Sequence, residues 1–378
     1  MITELIKNTK VEWKTLGEVF EISAGGDVPK DAFSEIETTK YNIPILSNGI
    51  DEKSLYGWTN KAKIEKPSLT ISARGTIGWT SYRDKPFFPI VRLLALTPKI
   101  EIHLKYAYHF MKSIENDYKV PIAGIPQLTK PMIGNIKIPI PPLKIQQEIV
   151  AILDKFTELT AELTAELTAR QKQYEYYREE LLGVSSKGLV DVEWKTLGEV
   201  GEVRMCKRIL KHQTTDKGDI PFYKIGTFGK EPNAYISKEL FQEYKSKYNY
   251  PKLGEILISA SGTIGRSVIF DGRDAYFQDS NIVWIENDEK QVLNKFLFYF
   301  YQIAKWEVAD GGTIQRLYND NLKKTKIPVP PLSEQERIVG ILDKFDILVN
   351  SISEGLPKEI ELRKKQYEYY REKLLTFV

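Results

Sequence analysis

The side chains that most often catalyse reactions or bind metals are scarce in this sequence. Its 378 residues include three histidines, His103, His109 and His212, and one cysteine, Cys206. A single cysteine excludes a disulfide framework and a zinc finger, and neither the phosphate-binding loop nor the HExxH motif occurs. We interpret His103 and His109 as packing or surface residues, whereas His212 lies in the basic segment KRILKH and could contact phosphate. We predict no catalytic site, no metal site and no cofactor.

The clearest potential for recognition lies in two related turns. Ile71–Gly78 reads ISARGTIG and Ile258–Gly265 reads ISASGTIG, each an apolar strand that runs into a polar turn with two glycines. A structural role is favoured for the glycines, because glycine readily adopts positive φ angles. Positions that differ between the copies are better contact candidates. Arg74 is replaced by Ser261, and arginine suits bidentate reading of guanine whereas serine reads base edges less specifically.

Polar, basic and aromatic residues cluster on the loops around these turns. Basic side chains supply phosphate contacts, and Arg, Asn and Gln can read base edges. The alternative is that such charges are only solvated surface. The candidate DNA contacts are Asn48, Trp58, Lys61, Lys63, Arg74, Thr76, Tyr82, Arg83, Gln127 and Lys130 in the first half, and Lys207, Arg208, Lys211, Lys224, Lys230, Ser261, Thr263, Arg266, Gln278, Asn281, Gln315 and Arg316 in the second.

The sequence that carries these residues is an internal repeat with two copies. Val11–Val19 and Val192–Val200 both read VEWKTLGEV, and the glycine turns, a PPL…ILDKF block and a QYEYYRE block follow in both halves. The order is collinear, so the chain is a duplicated module in which a globular domain precedes a long helix. The predicted segments are a globular domain at 1–140, a helix and linker at 141–185, a second globular domain at 186–326 and a second helix at 327–378.

The globular parts have the pattern of α+β domains with a mixed or antiparallel sheet. Short apolar runs broken by Gly, Pro, Asn and Asp predict strands, and apolar residues at 3–4 spacing predict one clear helix in each half. The predicted strands include Asn42–Leu46, Ser68–Ser72, Pro89–Leu96, Glu255–Ser259 and Asn281–Ile285, and the helices are Leu104–Ile114 and Val292–Trp306. VEWKTLGEV is interpreted as the strand that opens each domain.

The long helices, predicted within Ile138–Leu182 and Ile327–Leu375, each carry an apolar stripe. Two such stripes are expected to bury each other in an antiparallel, coiled-coil-like pair with pseudo-twofold symmetry. Ser333 and Glu336 predict a capping box, and Pro357 predicts a kink or break. Gly183 is expected to end the first helix and to begin a flexible linker, GVSSKG, at residues 183–188.

Thr157–Ala169 contains the four-residue repeat ELTAELTAELTA. One interpretation is a filler of good helix formers. The other is a length-setting ruler, because each added copy extends a helix by about 6 Å.

The bulk composition fits a DNA-binding protein without requiring it. The net charge is +3, and 42% of residues are hydrophobic. No stretch approaches 18 apolar residues, so we expect no membrane association, and one cysteine suits a reducing cytoplasm.

Taken together, these features resemble the specificity subunit of type I restriction–modification systems. The resemblance covers essentially the whole chain and rests on the WKTLGEV segments, the GTIG turns, the P-x-P-P-L-x-x-Q blocks at 139–146 and 328–335, the ILDKF runs and the four-residue repeat. It implies two target recognition domains that each read half of a bipartite, asymmetric site in double-stranded DNA. The second copy keeps the family's Glu334-Gln335, whereas Ile145 replaces the glutamate in the first.

The resemblance also implies partners. The helices would set the spacer and dock two methyltransferase subunits, which would methylate adenine N6, and cleavage would need ATP-dependent motor-nuclease subunits. The protein itself would be non-catalytic. The docking residues implied are Gln146, Gln335, Tyr174, Tyr177, Tyr367 and Tyr370. The alternatives are an orphan DNA-binding regulator and a protein-only coiled-coil scaffold. The half-site bases, the spacer length and the oligomeric state cannot be predicted from this sequence.

Overall fold

The structure is a computed structural model that describes residues 6–7, 9–120, 124–183, 192–308 and 315–377. It forms two compact units. Unit 1 comprises Met1–Thr164 together with Glu359–Val378, and unit 2 comprises Ala165–Lys358. Most of the predicted linker, residues 184–188, lies outside the described residues.

Unit 1 contains two small sheets and one two-stranded ribbon. The ribbon is β1–β9, one sheet has the order β2-β8-β5-β6, and the other has the order β4-β3-β7. All pairings are antiparallel except β3 with β7. The strands are β1 (Glu12–Thr15), β2 (Phe20–Ala24), β3 (Ile43–Leu46), β4 (Leu55–Thr59), β5 (Ser68–Ser72), β6 (Thr80–Arg83), β7 (Phe88–Pro89), β8 (Leu93–Pro98) and β9 (Lys137–Ile140). The helices are α1 (Leu16–Val19), α2 (Leu104–Ser113), α3 (Lys130–Gly134) and the first part of α4 (Leu143–Leu182).

Unit 2 repeats this plan. The ribbon is β10–β18, and the sheets have the orders β11-β17-β14-β15 and β13-β12-β16, the last pair parallel. The strands are β10 (Glu193–Thr196), β11 (Glu202–Met205), β12 (Ile220–Tyr223), β13 (Tyr235–Ile236), β14 (Ile256–Ser259), β15 (Ser267–Ile269), β16 (Tyr276–Phe277), β17 (Ile282–Glu286) and β18 (Lys326–Val329). The helices are α5 (Leu197–Val200), α6 (Lys238–Lys247), α7 (Asn294–Tyr301), α8 (Asn319–Lys324), α9 (Leu332–Asn350) and α10 (Gly355–Leu375), of which α10 crosses into unit 1.

The opening segment of each unit forms the predicted strand and then a single helical turn. The Thr15 amide donates to Glu18 Oε2 over 2.7 Å, and the Glu18 amide donates to Thr15 Oγ1 over 3.3 Å. This reciprocal capping box explains why the strand stops at a threonine that is followed three residues later by glutamate. The strand pairs with the segment that leads into the long helix, so that Trp13 lies opposite Pro139. In each unit, the first strand therefore pairs with the last strand before the long helix.

The α+β fold and its duplication are confirmed, but two predicted elements change. The predicted strand Pro89–Leu96 is divided into β7 and β8, because Arg92 has φ 72° and interrupts the extended chain. The predicted helix Val292–Trp306 is only Asn294–Tyr301.

The first long helix is confirmed, and the second is interrupted, as the sequence predicted. Helix α4 runs without interruption over 40 residues, and Gly183 follows it directly. The second helix is broken between Asn350 and Gly355, close to the predicted break at Pro357. The predicted capping box at Ser333 is wrong: α9 begins at Leu332 after Pro331, which makes no side-chain cap, and Ser333 already lies within the first turn.

The long helices contact each other within both units. In unit 1 the Phe156 ring of α4 stacks on Tyr370 of α10, with centroids 5.4 Å apart. In unit 2 the Tyr174 ring of α4 stacks on Phe345 of α9, with centroids 6.1 Å apart. Helix α4 thus runs from unit 1 into unit 2 while α9 and α10 run from unit 2 into unit 1, which is the order of an antiparallel pair.

Candidate nucleic-acid interface

The glycine turn of each unit has the predicted left-handed geometry. Gly75 and Gly78 have φ angles of 77° and 88°, and Gly262 and Gly265 have 67° and 80°. The Gly78 amide closes the turn by donating to the Ser72 carbonyl over 2.9 Å. In unit 2 the Gly265 amide donates to the Ser259 carbonyl over 3.0 Å. The two turns therefore share one backbone structure and differ in side chain at a single position, Arg74 in unit 1 and Ser261 in unit 2.

Backbone hydrogen bonds hold two further segments beside the turn of unit 1. The Ala73 amide donates to the Arg92 carbonyl over 2.8 Å, and the Leu128 amide donates to the Ala73 carbonyl over 2.8 Å. These bonds place Arg74, Arg92 and Gln127 on three adjoining segments. We call these three residues platform 1.

Unit 2 has the same pair of bonds. The Ala260 amide donates to the Asn281 carbonyl over 2.7 Å, and the Leu317 amide donates to the Ala260 carbonyl over 2.8 Å. The corresponding three residues, Ser261, Asn281 and Arg316, are called platform 2.

The side chains of platform 2 contact one another directly. Ser261 Oγ donates to Asn281 Oδ1 over 2.8 Å, and an Arg316 terminal nitrogen donates to the same oxygen over 3.1 Å. One amide oxygen thus fixes both a hydroxyl and a guanidinium group.

Platform 1 is organised by the neighbouring Asn48. The side-chain Nδ2 of Asn48 donates to the Arg74 backbone carbonyl over 2.6 Å. The backbone carbonyl of Asn48 accepts from Thr76 Oγ1 over 2.5 Å. The guanidinium groups of Arg74 and Arg92 form no hydrogen bond or ion pair within the described part of the chain. Arg92 was missed by sequence reasoning. Its position directly before the strand LLALTP, as Asn281 precedes IVWIE, is the signal that would have found it.

Several predicted DNA contacts are engaged in internal bonds. Lys61 forms a 2.8 Å ion pair with Asp31, and Arg208 forms a 2.9 Å ion pair with Asp279. Arg83 donates to Thr70 and Ser54, and burial lowers the pKa of its guanidinium. These three basic side chains therefore already have structural partners.

Two polar residues near the turn of unit 2 are likewise bonded to the chain. Gln278 Oε1 accepts from the Ile225 amide over 2.9 Å. Arg266 donates to the Phe228 carbonyl over 3.1 Å and to Thr263 Oγ1 over 3.2 Å. Both therefore support the loop over residues 225–228.

The remaining predicted contacts lie at the surface with varying exposure. Lys207 lies 5.1 Å from the centroid of the Tyr248 ring, and Lys63 donates weakly to the Ala24 carbonyl over 3.4 Å. Trp58 and Tyr82 are half-buried. The exposed residues are Lys63, Lys130, Lys207, Lys211, Lys224, Lys230, Thr263, Gln127 and Gln315.

The two glutamines implied as docking residues have a different role. Gln335 is fully buried, accepts from the Leu293 amide over 2.9 Å and donates to the Pro330 and Gln291 carbonyls over 2.8 Å each. Gln146 is 2% exposed and makes the equivalent bonds to the His103 amide and the Pro141 carbonyl. Neither side chain is available to a partner, so this part of the docking prediction is wrong. Both instead fasten a globular domain to the start of a helix.

The repeated tyrosines divide into buried and exposed positions. Tyr174 is 3% exposed and cannot dock a partner, whereas Tyr177 is 37% exposed and Tyr367 and Tyr370 are half-buried. Sequence reasoning overlooked Tyr176 and Tyr369, which are 61% and 54% exposed. It also gave no surface role to Trp13 and Trp194, which are 51% and 44% exposed. In unit 2, Tyr176 and Trp194 line one open cavity.

A repeated carboxylate fastens α2 to α4 in unit 1 and α7 to α9 in unit 2. In unit 1 Asp154 accepts from Lys105 over 2.5 Å and contacts His109 over 2.8 Å. In unit 2 Asp343 accepts from Lys295 and from the Tyr299 hydroxyl, each over 2.6 Å. His109 is 1% exposed, in agreement with a packing role.

Within the residues that the structure describes, no group of three His, Cys, Asp or Glu could hold a metal ion. Burial raises the pKa of the Cys206 thiol to about 12, so this thiol is not a reactive nucleophile. No helix among the described residues is long and apolar enough to span a membrane.

A sequence model of the family described as the type I restriction modification DNA specificity domain matches the chain twice. The matches cover residues 8–170 and 190–362, one in each half of the internal repeat. The chain belongs to this family. It is 51% identical, over its whole length and 98% of the relative, to a Haemophilus influenzae protein named as a type I restriction enzyme specificity subunit. It is 32% identical to the EcoR124I/EcoR124II specificity subunit of Escherichia coli, over its whole length and 96% of that chain.

Solved structures show that the family fold is shared. A chain from a structure of complex assembly in the type I restriction–modification system aligns with a TM-score of 0.64 and 18% identity, over 97% of both chains. The S subunit from M. genitalium aligns with a TM-score of 0.57 and 17% identity, over 98% of this chain and 97% of that one. Family membership supports the specificity-subunit interpretation over an orphan regulator or a protein-only scaffold.

Proposed function

We propose that each globular domain of this specificity subunit reads one half of a bipartite, asymmetric site in double-stranded DNA. The observation that carries this proposal is the repeated turn, in which the same backbone bonds support Arg74, Arg92 and Gln127 in unit 1 but Ser261, Asn281 and Arg316 in unit 2. A shared framework with different hydrogen-bonding groups is what two different half-sites require. The recognition domains are residues 1–140 and 186–326, and the helical segments are 141–185 and 327–378.

The chemistry would be supplied by partner subunits. The described residues offer no metal cluster and Cys206 is inert, whereas DNA contacts have many polar candidates. Two methyltransferase subunits would methylate adenine N6 in the site, and motor-nuclease subunits would cleave unmodified DNA with ATP. The complex would act in the cytoplasm, where the cellular DNA is located.

The docking surface for the methyltransferase subunits would include the exposed repeated aromatics. Trp13 and Trp194 occupy identical segments, as do Tyr176 and Tyr369, and all four keep large exposed surfaces. Aromatic residues are enriched at protein interfaces. Two copies of one surface suit two copies of one partner, and Tyr177, Tyr367 and Tyr370 would add contact area beside them.

The experiment is coexpression with a methyltransferase encoded beside this protein, in a host that lacks other adenine methylation, followed by genome-wide mapping of N6-methyladenine. The expected result is methylation at one asymmetric bipartite motif, which disappears when this protein is omitted. Methylation that is unchanged without this protein would contradict the proposal. A variant with Trp13→Ala and Trp194→Ala tests docking separately, because it should lose copurifying methyltransferase while the free subunit keeps its DNA affinity.

A further inference from the structure

We propose that platforms 1 and 2 are the base-reading centres of the two domains, and that their arginines, Arg74 and Arg92 in one and Arg316 in the other, each specify a guanine. This inference rests on the proposed function and deepens it, since it names the residues that determine specificity and the base that they read. Arg92 was not among the contacts predicted from the sequence and is identified by the structure alone.

The residues of the two platforms occupy equivalent positions in the two units. Ala73 and Ala260 each donate to one neighbouring segment and accept from another, which aligns Arg92 with Asn281 and Gln127 with Arg316. The sequence repeat separately aligns Arg74 with Ser261. Each platform therefore has three positions in the same backbone frame, and all three differ in residue type. Positions that share a backbone and differ in side chain are those at which two half-sites can be distinguished.

Side-chain contacts within platform 2 position its arginine. Asn281 Oδ1 accepts from both Ser261 and Arg316, so the three side chains meet at one point. This contact uses only one terminal nitrogen of the Arg316 guanidinium, so the other N–H groups can donate to a second partner. Guanine presents two acceptors, O6 and N7, at the spacing of two guanidinium donors. Arg316 is thus a pre-positioned guanine reader, and Asn281 keeps its amide nitrogen for a neighbouring acceptor.

The backbone of platform 1 is strained at Arg92. Its φ of 72° lies in the left-handed region, which is costly for residues other than glycine. The Arg92 side chain is exposed and forms no hydrogen bond or ion pair among the described residues. Contacts within the fold therefore do not offset the free-energy cost of this backbone conformation. Ser280, which precedes the equivalent Asn281, has φ 54°, so both units bend the chain beside the platform. A strained, exposed arginine beside a second unpartnered arginine is explained by an external ligand that accepts hydrogen bonds.

The test uses the complete methyltransferase complex and the methylation motif of each variant. Arg92→Gly removes the guanidinium and relieves the backbone strain, so the fold should be at least as stable as that of the unmodified protein. Arg74→Ala removes the second arginine of platform 1, and Arg316→Lys keeps the charge of platform 2 but loses the fork geometry. Lys99→Ala is the matched control, because Lys99 is an exposed basic residue of unit 1 that follows β8 at the end opposite Arg92.

Each platform variant should relax a G·C requirement at one base pair of its own half-site by about tenfold or more, while the other half-site stays unchanged. Lys99→Ala should leave the motif unchanged. Uniform loss of methylation with an unaltered motif would overturn the inference, because it would mean that the arginines bind phosphate. A motif without guanine in the affected half-site would also overturn it. If the unmodified protein directs no bipartite methylation at all, the proposed function fails instead.

Discussion

The Nε2 atom of His109 lies 2.8 Å from the Oδ1 atom of Asp154. The other ring nitrogen, Nδ1, lies 3.0 Å from the Tyr367 hydroxyl. A neutral imidazole satisfies both contacts, because Nε2 can donate to the carboxylate while Nδ1 accepts from the hydroxyl. Burial lowers the pKa of His109 and outweighs the opposing effect of this hydrogen bond. Burial opposes ionisation of Asp154, but hydrogen bonds from Lys105 and His109 still hold the pKa of this carboxyl below its ordinary value.

The first prediction concerns stability at mildly acidic pH. Below the ordinary histidine pKa of about 6.5, the unfolded chain binds a proton that the folded chain excludes from His109. The free energy of unfolding should therefore fall as the pH is lowered from 7.5 through 6.5, by up to about 1.4 kcal/mol per pH unit for this one group. Urea titrations between pH 5.5 and 7.5 measure the slope. His109→Gln should reduce it, and His212→Gln, at an exposed position, should leave it unchanged. Equal slopes in all three proteins would show that folding does not lower the pKa of His109.

The second prediction concerns the buried amide that fastens α9 to unit 2. Gln335→Ala removes three hydrogen bonds and leaves the Leu293 amide and two carbonyls unpaired. Buried unpaired groups are costly, so the free energy of unfolding should fall by about 3 kcal/mol. Glu336→Ala, at the next and exposed position, should change it by less than about 0.5 kcal/mol. Denaturant unfolding followed by tryptophan fluorescence, which reports on both units, makes the comparison. A small effect of Gln335→Ala would mean that water replaces the lost bonds.

Local patterns in the sequence were sufficient for the elements with strong periodicity. The apolar run Ser68–Ser72 is β5 as predicted, and the 3–4 spacing after Leu104 gives α2. The capping box at Ser333 failed because Pro331 already fixes the backbone that starts α9, which leaves Ser333 inside the helix. Proline is well suited to a helix start, and the side-chain pattern alone could not reveal which residue supplied it.

The third prediction compares two glycines of unit 1 with nearly the same backbone. Gly78 and Gly124 have φ angles of 88° and 83°. A Cβ added at Gly78 would lie 2.5 Å from the Glu115 carbonyl oxygen, whereas one at Gly124 meets none of the described atoms within 4 Å. Gly124→Ala should cost about 1 kcal/mol, from the left-handed backbone alone. Gly78→Ala should cost about 3 kcal/mol, since backbone must also move. Denaturation midpoints measure both, and similar values would show that the turn relaxes freely.

The candidate site was predictable only in part, because its residues are brought together by long-range backbone bonds. The turn itself was visible from its glycines, and Arg74 from the difference between the copies. Arg92 stands within an apolar stretch and shows its role only when the Ala73 amide is seen to bond its carbonyl. Gln335 was interpreted as a docking residue, although its side chain serves the fold. A repeated polar residue at the start of a helix suggests a surface function, and only its complete burial shows that it serves the fold.

The last prediction concerns the spacer between the two half-sites. Deleting Thr160–Leu163 shortens α4 by about 6 Å and turns the following segment by about 40°. None of the residues from 157 to 169 is fully buried, and Thr164 would take over the bond that Thr160 Oγ1 makes to the Phe156 carbonyl, so both units should remain folded. At about 3.4 Å per base pair, the spacer in the methylated motif should contract by one or two base pairs while both half-sites stay the same. Replacing Thr160 by Ala and Glu162 by Gln, without a change in length, should leave the spacer unaltered. An unchanged spacer after the deletion would mean that α9 and α10, with the break between them, fix the separation instead.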